Sequence, residues 1–108
     1  MAAPASPSPA AFHLGRAHRI VHANPAFVAA YGPACLGQPA REAMLDLPAG
    51  AFELMDLVYR EGRHLAARIR TERGERRLVV VARRDPETGE TYGVATHLVP
   101  VGSMAQGR

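Results

Sequence analysis

Lysine is absent, so all 13 basic residues are arginines. Together with abundant Ala, Gly and Pro, this reflects a GC-rich coding bias and carries no mechanism. Cysteine occurs once, as Cys35. One thiol excludes an internal disulfide and fits a reducing compartment, so the expected location is cytoplasmic. No apolar run approaches the ~18–20 residues that a membrane-spanning helix needs. Residues 1–11 lack a basic n-region and an apolar h-region. They read as a flexible Ala/Pro/Ser-rich tail and not as a signal peptide. Pro4, Pro7 and Pro9 argue against an amphipathic helix there. A Gly-rich phosphate loop and a Ser/His/Asp grouping are also missing. His13, His18, His22 and His97 are scattered without metal-ligand spacing. No catalytic residue and no metal ligand is assigned, and the chain is not read as an enzyme.

What is present describes one domain. The chain has 108 residues, 47% apolar and 21% charged, which supports a single globular core. The expected division is a tail over 1–11, a domain over 12–100 and a second tail over 101–108. The net charge of +3 is unevenly spread. Residues Arg68 to Arg84 hold seven arginines against Glu72 and Glu75, while the rest of the chain is net acidic. That basic stretch is either a solvated strand face or an attractor for nucleic acid or an acidic protein.

Two short β-rich runs, Phe12 to Leu14 and Arg19 to Ala23, flank a glycine turn and predict a hairpin. Asn24 and Pro25 then form a helix start, with the Asn side chain as N-cap and Pro at the first helical position. Phe27, Ala30 and Tyr31 keep helical spacing, and Gly32-Pro33 stops the helix. Gly37-Gln38-Pro39 is a turn before a weaker helical stretch over Ala40 to Leu45. Phe52, Met55 and Tyr59, with Leu54 and Val58 beside them, mark an apolar stripe on a helix over 51–61. The period then switches to 2. Three strands follow, separated near Arg73-Gly74 and at Asp85 to Gly89. The pattern is α+β, with helices between two strand groups and covering one face of a sheet.

These pieces, in this order, resemble the PAS family. Arg19 to Phe27 is similar to that family's strand-to-helix entry through Asn-Pro. Leu36-Gly37-Gln38-Pro39 resembles its hydrophobic-Gly-x-Pro turn, and Tyr59 to Gly62 its long-helix end. Arg84 to Gly93 resembles the hairpin before its last strand. The resemblance covers about residues 12 to 99. It implies a five-stranded antiparallel sheet of order 2-1-5-4-3 with short helices on one face. It also implies a sensory or interaction module in signal transduction, of the kind used in bacterial two-component regulation. The implied partner is a kinase, phosphatase or other regulator, or a second copy in a homodimer. Nucleic acid is the alternative partner, through a hairpin over Arg68 to Arg84; the stretch lacks interleaved aromatics for stacking.

In this fold a small ligand would sit between the sheet and the long helix. Phe27, Tyr31, Met44, Met55, Val58, Tyr59, Ile69, Val80 and Val94 are the candidate lining. The competing reading is that they fill the core. Nothing polar is expected to point inward except Tyr31 or Tyr59. The residues around Cys35 do not resemble the Asn-Cys-Arg motif of flavin-binding light sensors. The long helix carries no histidine for a haem iron; His64 lies just beyond it. The cofactor is therefore unknown, with no support for flavin or haem. On the sheet face away from the helices, Arg68, Arg70, Val79, Val81 and His97 are the candidate interface. Adjacent valines framed by arginines read there as a covered surface; the competing reading is strand propensity alone.

Overall fold

The computed structural model describes residues 8–101. Five strands, β1 (Ala10–Leu14), β2 (Arg19–Ala23), β3 (Leu65–Thr71), β4 (Gly74–Arg84) and β5 (Thr91–Pro100), form one antiparallel sheet. Its order is β2-β1-β5-β4-β3, as expected. Three helices, α1 (Pro25–Tyr31), α2 (Ala40–Ala43) and α3 (Ala49–Glu61), lie between β2 and β3 in the chain. The tails expected over 1–11 and 101–108 fall largely outside the described residues, and β1 opens at Ala10, two residues before the expected start. Among the described residues, no helix is long and apolar enough to cross a membrane.

Local chemistry sets the helix ends. Asn24 Oδ1 accepts from Phe27 N at 2.9 Å and from Ala10 N at 3.1 Å, so one side chain caps α1 and ties it to β1. Gly32 closes α1 at φ 88° and ψ 155°, a region that only glycine enters readily, and its N–H reaches the Val28 carbonyl. Gly62 ends α3 in the left-handed region, φ 71° and ψ 26°. That stop lets the chain reverse directly into β3.

The core is the layer between helices and sheet. Ala51, Phe52, Met55 and Val58 face it from α3, and Phe27 from α1. Leu78, Val80, Ala82, Val94 and Leu98 face it from β4 and β5. The first hairpin departs from the expectation that only tyrosines are polar and inward. On β1, His13 is fully buried, while Phe12 is half-buried and Leu14 exposed. The cause is register: Phe12 pairs with Ala95 and His13 with Val94, so His13 shares the inner face with Val94 and Thr96. The crossing of β1 and β5 is tight at Gly93, where a Cβ would run into the His13 carbonyl oxygen.

Candidate functional site

Two surfaces could carry function: the interior layer and the outer face of the sheet.

In the interior, seven of the nine candidate lining residues come together. Phe27, Met44, Met55, Val58, Val80 and Val94 have no exposure, and Ile69 has little. Zero exposure means that no water-sized void borders those side chains. Tyr31 and Tyr59 sit half-buried at the rim and face polar partners instead. The ring of Tyr59 meets His18 edge-on, with centroids 6.0 Å apart.

Polar groups that the sequence did not flag hold this layer together. His13 Nδ1 lies 3.0 Å from the His18 carbonyl, and His13 Nε2 lies 2.8 Å from the Thr96 hydroxyl. A carbonyl only accepts, so Nδ1 carries the proton and Nε2 accepts from Thr96. Burial pushes the His13 pKa down from 6.5 to about 4; the bond to the His18 carbonyl opposes this and the charge of His18 adds to it. His13 is therefore neutral at pH 7. His18 adopts φ 55°, unusual for a residue with a Cβ, in the β1–β2 turn. Its ring is buried, and Nε2 lies 2.7 Å from Asp56 Oδ1 on α3. The other Asp56 oxygen accepts from Arg41 Nη2 on α2 at 2.9 Å. Burial raises the Asp56 carboxyl, but the bonds from Arg41 and His18 outweigh it and hold the pKa below the ordinary value. One carboxylate thus fastens the hairpin turn, α2 and α3 together.

A second fastening lies at the opposite end of the layer. The Tyr31 hydroxyl donates to Asp46 Oδ1 at 2.8 Å and accepts from Arg73 Nη2 at 3.0 Å. The Arg73 guanidinium also sits 5.0 Å from the Tyr31 ring centroid. Burial, then the bond to Asp46, raises the Tyr31 pKa well above its ordinary value. This latch joins α1, the loop before α3 and the β3–β4 turn. The partners are 42 residues apart for Tyr31 and Arg73, and 38 for His18 and Asp56.

Cys35 is buried in a short 3-10 turn over Pro33–Cys35, and burial pushes its thiol pKa up. His64 lies just before β3, where its Nδ1 accepts from the Ala82 amide at 3.3 Å. Among the described residues no three His, Cys, Asp or Glu side chains group as a metal site.

The outer face collects the candidate interface residues. Strand alternation puts Arg77, Val79, Val81 and Arg83 of β4 on the side away from the helices. Val79 lies opposite His97, and Val81 opposite Ala95. Phe12 lies opposite Ala95 on the other side. Arg68, across from Arg77, and Arg70 point the same way from the edge strand β3. A groove of about 390 Å³ runs along this face, lined by Phe12, Val79, Val81, Ala95 and His97 among others. Phe12 and Tyr92 meet edge-on at 6.2 Å, which adds a second, exposed aromatic beside it. The pairing shifts between Arg83 and Arg84 beside it. Arg77 and Arg83 bracket the two valines on β4 and share their face, though they were not among the candidate interface residues. Their alternation with Val79 and Val81 was the available signal.

No protein-family model matches the chain, and no curated protein matches it. Solved structures do. The light state of the blue-light photoreceptor Aureochrome1 LOV domain aligns at a TM-score of 0.66 and 15% identity, over 94% of this chain and 88% of that one. The LOV domain of the Erythrobacter litoralis blue-light-activated histidine kinase aligns at 0.61 and 16%, over 85% and 94%. A light-oxygen-voltage domain studied with a flavin analogue aligns at 0.65 and 17%, over 92% and 82%. These neighbours correct the expectation that nothing supports flavin, because LOV domains bind it. The interior as packed does not fit a three-ring flavin, since Phe27, Met44, Met55, Val58, Val80 and Val94 already occupy the layer. LOV domains belong to the PAS superfamily, and this chain superposes on them over most of its length, so it has a PAS-like fold.

Proposed function

We propose that this chain is a non-catalytic sensory and interaction module of signal transduction whose working surface is the outer sheet face. The observation that carries the reading is the apolar groove around Val79, Val81, Ala95 and Phe12. The helical layer covers the other face of the same sheet, so the groove is the unpartnered side of the central strands. Signalling partners such as a kinase or regulator dock there, and the histidine kinase LOV neighbour supports that class of output. Val81→Glu puts a carboxylate in the groove floor. It is expected to weaken docking at least tenfold, as truncation or charging of a central contact does, without changing helix content by circular dichroism. Association that survives Val81→Glu, measured by native mass spectrometry, sinks the reading.

Sensing uses the interior. A ligand enters only when the helices move off the sheet, and that movement breaks the Asp46 or Asp56 latch. Occupied and empty states then differ in how the latches sit, which is a population shift. Flavin is the first ligand to add, because the LOV neighbours bind it. Arg73→Ala cuts one latch and is expected to raise uptake of flavin mononucleotide, read as quenching of its fluorescence. Equal quenching with the native chain and the variant would separate the latch from ligand entry.

A further inference from the structure

A cleft of about 760 Å³ lies apart from both surfaces described above, at one end of the sheet. Its walls are the end of α3, the β1–β2 turn and the β4–β5 turn. Arg60 comes from α3, Arg16 from the first turn and Arg84 from the end of β4. The volume is that of a small-molecule site, typically about 300–1,000 Å³. Arg84 is braced there. Its Nε donates to the Gly89 carbonyl at 2.9 Å. A Cβ on Gly62 would stand 3.4 Å from that nitrogen, and one on Gly89 would stand 3.5 Å from Nη2. Two glycine backbones thus leave the guanidinium its place, with the Nη groups still free to donate. The strand pairing shifts between Arg83 and Arg84, an irregularity of the kind that re-aims a side chain. Most of the acids in the cleft are already engaged. Asp56 is held by His18 and Arg41, and Glu61 lies 3.2 Å from Arg63. Among the described residues Glu90 has no ion pair, and neither have Arg16, Arg60 and Arg84. Three unpaired guanidinium groups therefore share the cleft with one unpaired carboxylate.

We propose that this cleft binds a small organic phosphate, a monoester of nucleotide size, with Arg84 as its anchor and Arg16 and Arg60 as the flanking cations. The site is independent of the outer face and of the interior. Charge selects the ligand class. A phosphate monoester carries about −1.5 to −2 charges at pH 7, which offsets the local excess of guanidinium. Its oxygens match the fork of donors that an arginine presents. A cation would meet three like charges, and an uncharged ligand would leave them uncompensated. The organic part has the half-buried Tyr59 ring on the α3 wall to lie against. Asp56 also lines the cleft, so a bound ligand touches the carboxylate that fastens the hairpin turn to α3.

The test titrates the full chain, labelled with ¹⁵N, with adenosine monophosphate and with adenosine as the uncharged control. The monophosphate is expected to shift the amides of Gly62, Gly89, Glu90 and Thr91, and to bind at least about tenfold more tightly than adenosine. Arg84→Gln is expected to weaken it about tenfold, the scale of one charge-assisted hydrogen bond. Glu90→Gln is expected to strengthen it, a gain that unfolding cannot produce. Arg77→Gln removes the same charge from the outer sheet face and is expected to leave binding unchanged. Equal losses in Arg84→Gln and Arg77→Gln overturn the proposal, because they report diffuse attraction to a basic chain. Adenosine binding as tightly as the monophosphate overturns it, and so do amide shifts that avoid the cleft. Displacement of the monophosphate by a lower concentration of succinate overturns it in favour of a dicarboxylate. Tighter binding of a phosphoserine peptide at the same amides overturns it in favour of a protein ligand.

Discussion

Lowering the pH from 7 to 4 is expected to remove about 3 kcal/mol of stability through one buried side chain, His13. Its pKa stands at about 4 in the folded chain against 6.5 for the free side chain, and one pKa unit corresponds to about 1.4 kcal/mol. The sign follows from proton counting. Above pH 6.5 neither state holds the extra proton, and stability is complete. Between 6.5 and 4 the unfolded chain binds it and the folded chain does not, so stability falls as pH falls. Below about 4 both states are charged and the loss is finished. Asp56 moves in the same direction but lower, because its depressed carboxyl is protonated only in stronger acid. The range from 6.5 to 5 therefore lies above the Asp56 transition, and comparison with a His13 variant assigns the slope there. Urea unfolding followed by far-ultraviolet circular dichroism suits a chain without tryptophan. The His13→Gln variant should lose this slope between pH 6.5 and 5 while keeping the steeper fall below. A native profile flat between pH 6.5 and 5 would show that His13 charges freely in the folded chain.

That buried histidine also marks where sequence reasoning stops. α1 was legible because its signals are local: Asn24 caps, Pro25 opens and Gly32 closes within nine residues. α3 was legible from its stripe, and the β4–β5 turn from Asp85 to Gly89, whose Asp85 side chain accepts from the Glu87 amide. The strand order is a different kind of knowledge. Nothing in the spacing of five strands fixes 2-1-5-4-3, and it came through the PAS resemblance. Alternation in Phe12-His13-Leu14 gives a period without a direction, and two apolar residues around one histidine point the wrong way. Packing against β5 and the irregular pairing between Phe12 and His13 set the direction instead. The latches are still less visible. Asp46, Asp56, Arg41 and Arg73 look like ordinary surface charges in a list of residues. Only the fold brings Arg73 to Tyr31 and His18 to Asp56. The flavin expectation is corrected for a related reason: a missing cysteine motif concerns a few residues, whereas the likeness to LOV domains runs over the whole fold.

Phe27→Ala tests whether the interior is as full as it looks. Phe27 has no exposure and sits between His13, at 6.5 Å ring to ring, and Tyr31, at 4.8 Å. Truncation removes its transfer energy and leaves a void that β1, α1 and β5 can close only in part. Buried Phe-to-Ala changes typically cost about 3–5 kcal/mol. A loss near the top of that range is expected here, because α1 is anchored at both ends, by Asn24 to β1 and by Tyr31 to Asp46, and cannot slide inward. An anchored void of this kind stays open and apolar, so it should bind a small aromatic such as benzene. Benzene is therefore expected to raise the melting temperature of Phe27→Ala and leave the native chain unchanged, since binding to the folded state alone stabilises it. A loss below about 2 kcal/mol without benzene rescue would mean that the layer collapses around the missing ring. Stabilisation of the native chain by benzene would mean something more useful: that the helices already open at equilibrium, and that a sensory ligand needs no broken latch to enter.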